Sequence, residues 1–202
     1  AGMSVTGKLV WRTVRSRVLA GTLWPDAADG RRDRAELARR LLGSAKDRHE
    51  HALAVEALAA ALRPLCAQLD VPGTPEVIAL RNVSHLSSDV TGTLDPDAPA
   101  SLLRLAEAVH PTAAVGGTPR AAAVELIAEL EGMDRGRYAG PVGWVDGHGD
   151  GELGIALRCA LLEGPTARLY AGCGVVADSD PDTEVREAAA KMAAVRDALE
   201  GA

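Results

Sequence analysis

The 202-residue sequence has no phenylalanine, three tryptophans and two tyrosines. Its core must therefore be built from leucine, valine, isoleucine and alanine. It lacks long apolar runs as well. Nothing approaches the roughly 18 consecutive apolar residues that a membrane span needs, so no membrane role is expected. Positive charge is short too. The net charge is -6 and the sequence pI about 5.4, which argues against nucleic acid, whose binding needs clustered cations. The basic run Arg31, Arg32, Arg34, Arg39 and Arg40 is interleaved with Asp33 and Glu36 and reads as a solvated helix face. Cys66, Cys159 and Cys173 are odd in number, far apart and free of any CxxC. Free thiols in a reducing cytoplasm fit that pattern better than a disulfide frame or a zinc site. No charged-then-apolar leader is read, and Ala1 and Gly2, ahead of Met3, read as a cloning remnant. No Gly-x-Ser-x-Gly, P-loop or dinucleotide-binding fingerprint is present. The expectation is a soluble cytoplasmic protein, one domain over residues 3–202, acting on something small.

Residues 8–14 and 15–20 are rich in β-formers and predict a hairpin or two strands. Residues 21–30 predict a loop. Asp33 followed by Glu36 resembles a capping box. Leu37, Leu41, Ala45, Ala52, Val55, Leu58 and Leu62 then recur at helical spacing, predicting one long helix that ends at Pro64. Residues 76–94 predict two strands, the second ending at Gly92. A short helix is expected over 102–109, then a loop over 110–117. Thr118-Pro119 supplies an N-cap and a first-turn proline for a helix running to Glu131. Segments 138–146, 152–162 and 166–176 predict three strands in an antiparallel meander. Asp180-Pro181 opens a last helix ending near Leu199. The class is α+β, an antiparallel sheet with flanking helices.

Glu184, Glu187 and Lys191 fall at spacings of three and four, on one face of the last helix. Spacing alone reads as a solvated salt-bridge row. The functional alternative is a hard-cation site, because magnesium takes one or two carboxylates plus water and a ligand oxygen. Asp47 and Glu50, flanked by Lys46 and His51, form a second acidic pair. Arg158 alternates with Gly154, Ala156 and Ala160 in a predicted strand, and small neighbours leave room beside a guanidinium suited to a carboxylate. A plain sheet-surface arginine is the alternative. The turn Ala171-Gly172-Cys173-Gly174 lets backbone N–H groups approach an anion, or else marks a strand bend. Gly116-Gly117-Thr118-Pro119 leads into a helix N-terminus, a second candidate anion site. His85 and His110 stand at no metal-ligand spacing and read as core or hydrogen-bonded histidines.

Several segments taken in order carry a resemblance. They are Leu19-Ala20-Gly21-Thr22, Ala45-Lys46-Asp47-Arg48-His49-Glu50-His51, His110-Pro111-Thr112-Ala113-Ala114-Val115-Gly116-Gly117-Thr118-Pro119, Asp134-Arg135 through Tyr138-Ala139-Gly140-Pro141-Val142-Gly143-Trp144, Leu157-Arg158, Tyr170-Ala171-Gly172-Cys173-Gly174, and Glu184 through Glu187 to Lys191. Their order and spacing resemble the chorismate-utilising enzymes: isochorismate, salicylate, anthranilate and aminodeoxychorismate synthases. The match begins near Lys8 and implies about half of the chorismate-binding fold. It implies Mg²⁺ held by Glu50 and Glu187 with Glu184 nearby. It also implies a substrate carboxylate held by Arg158, Lys191 and the amides of Gly172 and Gly174. Ala114 stands where salicylate synthases usually carry threonine, which implies an isochorismate synthase type; siderophore, menaquinone or another aromatic product stays open as the pathway. In the family the general-base lysine and general-acid glutamate lie upstream of Leu-Ala-Gly-Thr. Here Lys8 is the only lysine before Leu19 and no acid precedes Asp26, so neither group is expected in this chain. Half a fold implies exposed sheet edge and apolar surface, hence a homo-oligomer or a partner chain. The implied ligand is chorismate or a similar dicarboxylate. Binding without turnover, and a repurposed activity on another carboxylate, are the alternative functions.

Overall fold

The computed structural model describes residues 4–23, 34–79, 84–177 and 179–201. Of the loop expected over 21–30, residues 21–23 are strand instead, and residues 24–30 lie outside the described residues, as does the Asp33 cap.

Strands β1 (Ser4–Val10) and β2 (Thr13–Leu23) pair as an antiparallel hairpin. The turn is Trp11-Arg12, not the 14/15 boundary read from composition. Both turn residues have positive φ, 45° and 67°. That conformation matches the twist of a two-residue hairpin. The Trp11 N–H donates to Asp150 Oδ1 at 2.8 Å, which helps to hold it.

One helix was expected over 34–62, and two are found: α1 (Arg34–Gly43) and α2 (Ala45–Leu62). Ser44 divides them. Its backbone is extended and its hydroxyl accepts from the Asp47 N–H at 3.2 Å, so it caps α2. The competition of a serine side chain with the backbone ended a helix that apolar spacing alone would have continued. After α2, a 3-10 turn containing Pro64 leads into β3 (Cys66–Asp70), a strand missed in the sequence. Two predicted strands follow, β4 (Glu76–Ala79) and β5 (Ser84–Leu94). Helix α3 (Leu102–Val109) matches its expected bounds, and Ser101 caps it. A one-turn helix α4 (Ala113–Gly116) lies inside the expected loop. Helix α5 (Arg120–Glu131) starts two residues beyond Thr118, with Pro119 at the cap position and no side-chain cap bond.

Strands β6 (Pro141–Val145) and β7 (Gly151–Ile155) pair across a turn in which Asp146 Oδ1 accepts from the His148 and Asp150 amides. The expected three-strand meander breaks at residues 156–158. β8 (Cys159–Glu163) and β9 (Thr166–Tyr170) form a separate two-stranded sheet. Helix α6 (Pro181–Glu200) closes the described chain, capped by Asp180 as expected.

The main sheet runs β3-β5-β2-β1-β7-β6, with β4 also on β5. Its inner face carries Leu9, Val14, Val18, Val90 and Leu94. It packs against Val55, Leu58 and Leu62 of α2 and Leu102 and Leu105 of α3. Each such aliphatic burial contributes about 1.5–3 kcal/mol, and among the described residues no aromatic joins this cluster. Gly92 has no room for a side chain: a Cβ there would come within 2.7 Å of Cys66 Sγ. Among the described residues no helix is long and apolar enough to cross a membrane.

Candidate functional site

Three structural features place the candidate residues. The first is a bulge in β2. Pairing with β5 shifts between Ala20 and Thr22, and Gly21 takes φ +74°. A Cβ on Gly21 would lie 3.1 Å from Asp47 Cβ and 3.2 Å from Leu86 Cδ1. Glycine therefore supplies both the backbone twist and the room for α2 to close on the strand. His51, 2% exposed, fixes this contact. Its Nδ1 pairs with the Ala20 carbonyl at 3.2 Å and its Nε2 with Ser88 Oγ at 2.8 Å. Burial lowers the His51 pKa despite the Ala20 carbonyl. His51 therefore anchors α2 to β2 and β5, and Glu50 is its neighbour in sequence. Sequence reading noted His51 only as a flanking residue. The missed signal was the serine at position 88, a polar residue on the inward face of β5.

The second feature is Arg158. It was expected inside a strand and is not. It lies between β7 and β8 in the left-handed region, φ 49°. The Ala156 N–H donates to the Gly140 carbonyl, and the Ala156 carbonyl accepts from the Ala139 N–H, both at 2.9 Å. The chain thus stays tied to the loop before β6 while it turns away. The charge of Arg158 acts on His85 of β5, which is 5% exposed. Burial first, then Arg158, lowers the His85 pKa, against a hydrogen bond to the Gly21 backbone. His85 is thus the buried, hydrogen-bonded histidine expected.

The third feature is the meeting of α6 with the glycine turn. Lys191 is 5% exposed. Its ammonium lies 2.7 Å from Glu187 Oε1 and donates to the Gly172 carbonyl at 3.0 Å. Burial works to raise the Glu187 pKa, but cationic partners including Lys191 outweigh it, so the group is a carboxylate near neutral pH. Cys173 Sγ donates to the Glu184 carbonyl at 3.6 Å, pinning the turn to the first turns of the helix. Gly172 thus acts through its carbonyl here, where its N–H had been the expected group. Gly174 is exposed, and a Cβ there would meet nothing within 4 Å.

Aromatic packing, unread in the sequence, supports this turn. Tyr138 stacks on Tyr170 with ring centroids 5.3 Å apart, and Arg135 lies 5.5 Å above the Tyr138 ring. Arg135 also pairs with Glu131 and donates to the Val115 carbonyl at 2.8 Å. It therefore connects α5, the α4 turn bearing half-buried Ala114, and the loop before β6. The two tyrosines were the signal: a sequence with so few aromatics placed both of them in one stack.

Glu50 pairs loosely with Lys46 at 3.9 Å and keeps 42% side-chain exposure. Among the described residues, no group of three or more His, Cys, Asp or Glu side chains that could hold a metal stands together. The structure thus does not gather Glu50, Glu184 and Glu187 into one cluster. What it provides is a buried ammonium beside a carboxylate, a glycine turn, and an arginine in a strained turn. The buried ammonium and the guanidinium each suit a ligand carboxylate. The three cysteines are free, as expected.

The model of the chorismate binding enzyme family matches residues 8–200. The salicylate biosynthesis isochorismate synthase of Pseudomonas aeruginosa is 48% identical over 184 residues, 91% of this chain and 38% of that protein. The isochorismate synthase DhbC of Bacillus subtilis is 48% identical over 179 residues, covering 89% of this chain and 44% of that one. The menaquinone-specific isochorismate synthase MenF of Escherichia coli superposes with a TM-score of 0.83 at 32% identity, over 96% of this chain and 46% of that one. Anthranilate synthase component I of Streptococcus pneumoniae gives 0.80 at 29% identity, over 93% and 41%. The chain thus spans less than half the length of each of these relatives. Its sequence and its fold alike make it a member of the chorismate-binding enzyme family.

Proposed function

We propose that this chain forms the carboxylate- and metal-binding part of a Mg²⁺-dependent isochorismate synthase, which adds water at C2 of chorismate and removes the C4 hydroxyl. The observation that carries this reading is the buried Lys191, fixed between Glu187 and the Gly172 carbonyl. A nearly desolvated ammonium at a glycine turn is suited to a substrate carboxylate, since charge-assisted hydrogen bonds strengthen as water is excluded. Arg158 is the second cation for the chorismate dianion. Ala114, with no hydroxyl, agrees with a reaction that stops at isochorismate.

The donor set fits a hard cation. Glu50, Glu184 and Glu187 offer only carboxylate oxygens, and Glu187 is ionised near neutral pH. Magnesium is bound by one or two carboxylates with substrate oxygens and water, so a closed protein cage is not required. Glu50 and Glu187 would hold it, with Glu184 beside them, and bound Mg²⁺ would supply positive charge against a substrate carboxylate. The residues themselves bind and orient: Lys191 and Arg158 fix the carboxylates, and His51 holds the helix that bears Glu50.

In this reading the general base and general acid, which the resemblance places before Leu19, come from polypeptide outside these 202 residues. General acid–base groups contribute about 10²–10⁴-fold each, so binding by this chain should far exceed its turnover. In this reading the chain also assembles in a cytoplasmic setting, either with a second copy, which would cover its exposed sheet edge without supplying those groups, or with a partner chain that bears them. The test is incubation with chorismate and Mg²⁺, following isochorismate by chromatography, with Glu187→Ala as control. Magnesium-dependent chorismate binding that the control loses supports the reading. No binding to the folded protein overturns it.

A further inference from the structure

The Arg135 side chain touches three elements at once. Its Nε and Nη2 donate to the two carboxylate oxygens of Glu131, four residues earlier, at 2.7 and 2.5 Å. Its Nη1 donates to the Val115 carbonyl at 2.8 Å. Its guanidinium carbon lies 5.5 Å from the centroid of the Tyr138 ring. The backbone sets up these contacts. Gly132 and Gly136 take positive φ, 59° and 54°, so the chain leaves α5 and turns again within a few residues. The Tyr138 N–H then donates to the Arg135 carbonyl at 2.8 Å, closing a turn that brings the ring to the guanidinium.

A simple ion pair needs no such arrangement, and a lysine at this position could make one. The fork does more. Two parallel bonds to Glu131 fix the plane of the guanidinium. That leaves Nη1 aimed at one carbonyl and one face free to lie on a ring. Both ends of this clamp lead to the candidate site. Val115 follows Ala114 in α4. Tyr138 stacks on Tyr170, two residues before Gly172. A Cβ on Gly172 would stand 2.9 Å from the Tyr138 hydroxyl. Gly172 in turn takes the Lys191 ammonium on its carbonyl. A continuous path of contacts thus runs from the α4 turn through Arg135 and Tyr138 to the buried cation.

We propose that Arg135 is a positioning residue, which fixes the α4 turn relative to the Gly172 turn and so sets the fit of a carboxylate ligand that carries a ring. Its effect on a ligand rests on the carboxylate-binding reading above, whereas the coupling of the two turns does not. A ligand anchored through its carboxylate at Lys191 must place its ring against the rest of the site. With Ala114 as part of that boundary, the separation of the two turns decides how well the ring fits. A short carboxylate with no ring is held by the cations alone and is indifferent to that separation. Arg135 therefore governs selectivity among carboxylates, while Lys191 governs carboxylate binding itself.

Nitrogen-15 relaxation of the purified chain tests the coupling with no ligand present. Arg135→Gln should lower the backbone order parameters of both Val115 and Cys173, with α2 unchanged. Arg135→Lys keeps a cation for Glu131 and the Tyr138 ring, without a fork to reach the Val115 carbonyl as well. It should loosen Val115 and leave Cys173 as it was. Cys173 unmoved by Arg135→Gln overturns the coupling. Should Arg135→Gln fail to fold, Arg135→Lys still decides the clamp on α4, because an unmoved Val115 overturns it. Calorimetry with chorismate and Mg²⁺, set against fumarate, tests the fit. Fumarate offers carboxylates and no ring. Arg135→Gln should weaken chorismate binding about 5- to 10-fold, the scale of one hydrogen bond, and leave fumarate binding unchanged. Equal losses for both ligands overturn the selective role. If the unaltered chain binds neither ligand, the carboxylate-binding reading fails and the selective role with it, while relaxation still decides the coupling.

Discussion

The Lys191 ammonium lies 2.7 Å from the Glu187 carboxylate, one turn earlier on α6. The same ammonium donates to the Gly172 carbonyl, so one cation holds both the helix and the glycine turn. Lys191→Met should remove both links with little change in volume. Breaking a buried pair costs about 3–5 kcal/mol, and the low end applies because the Glu187 side chain keeps 25% exposure. Urea unfolding measures that loss. Chorismate affinity should fall at least about tenfold, the scale of one charge-assisted hydrogen bond. Full affinity in a folded Lys191→Met protein would remove Lys191 from the carboxylate site.

Gly172 is constrained from its other side by Tyr138. A Cβ at Gly172 would stand 2.9 Å from the Tyr138 hydroxyl. Gly172→Ala should therefore shift the turn and cost roughly 1–3 kcal/mol, as overpacking does. Tyr138→Phe removes the clashing oxygen and keeps the stack on Tyr170. In that background Gly172→Ala should recover most of its stability and its chorismate binding. Costs that simply add in the double variant would show that the damage at Gly172 has another source.

How much of this was legible in the sequence follows from the range of each cause. Local chemistry was readable. Asp180 caps α6 where expected and α3 keeps its expected bounds, because such signals lie within a few residues. Glu187 and Lys191 meet because helical spacing dictates it. Competition between local signals was misread: Ser44 broke a helix that apolar spacing continued, and Arg158 turned the chain out of a predicted strand. Long-range partners were invisible. Nothing near His51 in sequence names Ser88, 37 positions away, and nothing near Tyr138 names Gly172. β3 was missed because its polar residues, Gln68 and Asp70, give no clean alternation, and only pairing with β5 makes it a strand. The proposed metal and carboxylate residues form a set through resemblance alone, since no single spacing links Glu50 on α2 to Glu187 on α6.

Three histidines set an acid limb for stability. Burial is the leading cause that lowers the pKa of His51, His85 and His110 from the ordinary value of 6.5. A histidine with a lowered folded pKa binds fewer protons folded than unfolded. Its stabilising effect is complete above the unfolded pKa and is lost as pH falls toward the folded one. Stability should thus be level near pH 7.5 and decline below about pH 6.5, each histidine contributing at most about 1.4 kcal/mol per pH unit. Glu187, also lowered, adds a further loss below its ordinary value of 4.5. Urea midpoints at pH 7.5 and 5.5 check this. His51→Gln should be less stable at pH 7.5 but flatter between the two values. A decline as steep as in the unaltered protein would mean that His51 does not titrate with unfolding.

The sheet ends on β6, whose residues Pro141–Val145 are all exposed. Val142, Trp144 and Val145 present 59%, 53% and 47% of their surface to solvent. An apolar edge strand with unpaired backbone groups invites another chain. Leu126 and Leu130 of α5, at 53% and 72% exposure, extend the apolar surface available for contact. Sedimentation velocity of the purified chain should therefore show concentration-dependent association. Placing lysine at both Val142 and Trp144 opposes strand addition by charge. That double variant should sediment as a monomer while unfolding within about 0.5 kcal/mol per site of the parent, as surface substitutions do. Association unchanged by the two lysines would move the interface to α5. A parent chain that is monomeric at every concentration would count against a self-interface on this edge.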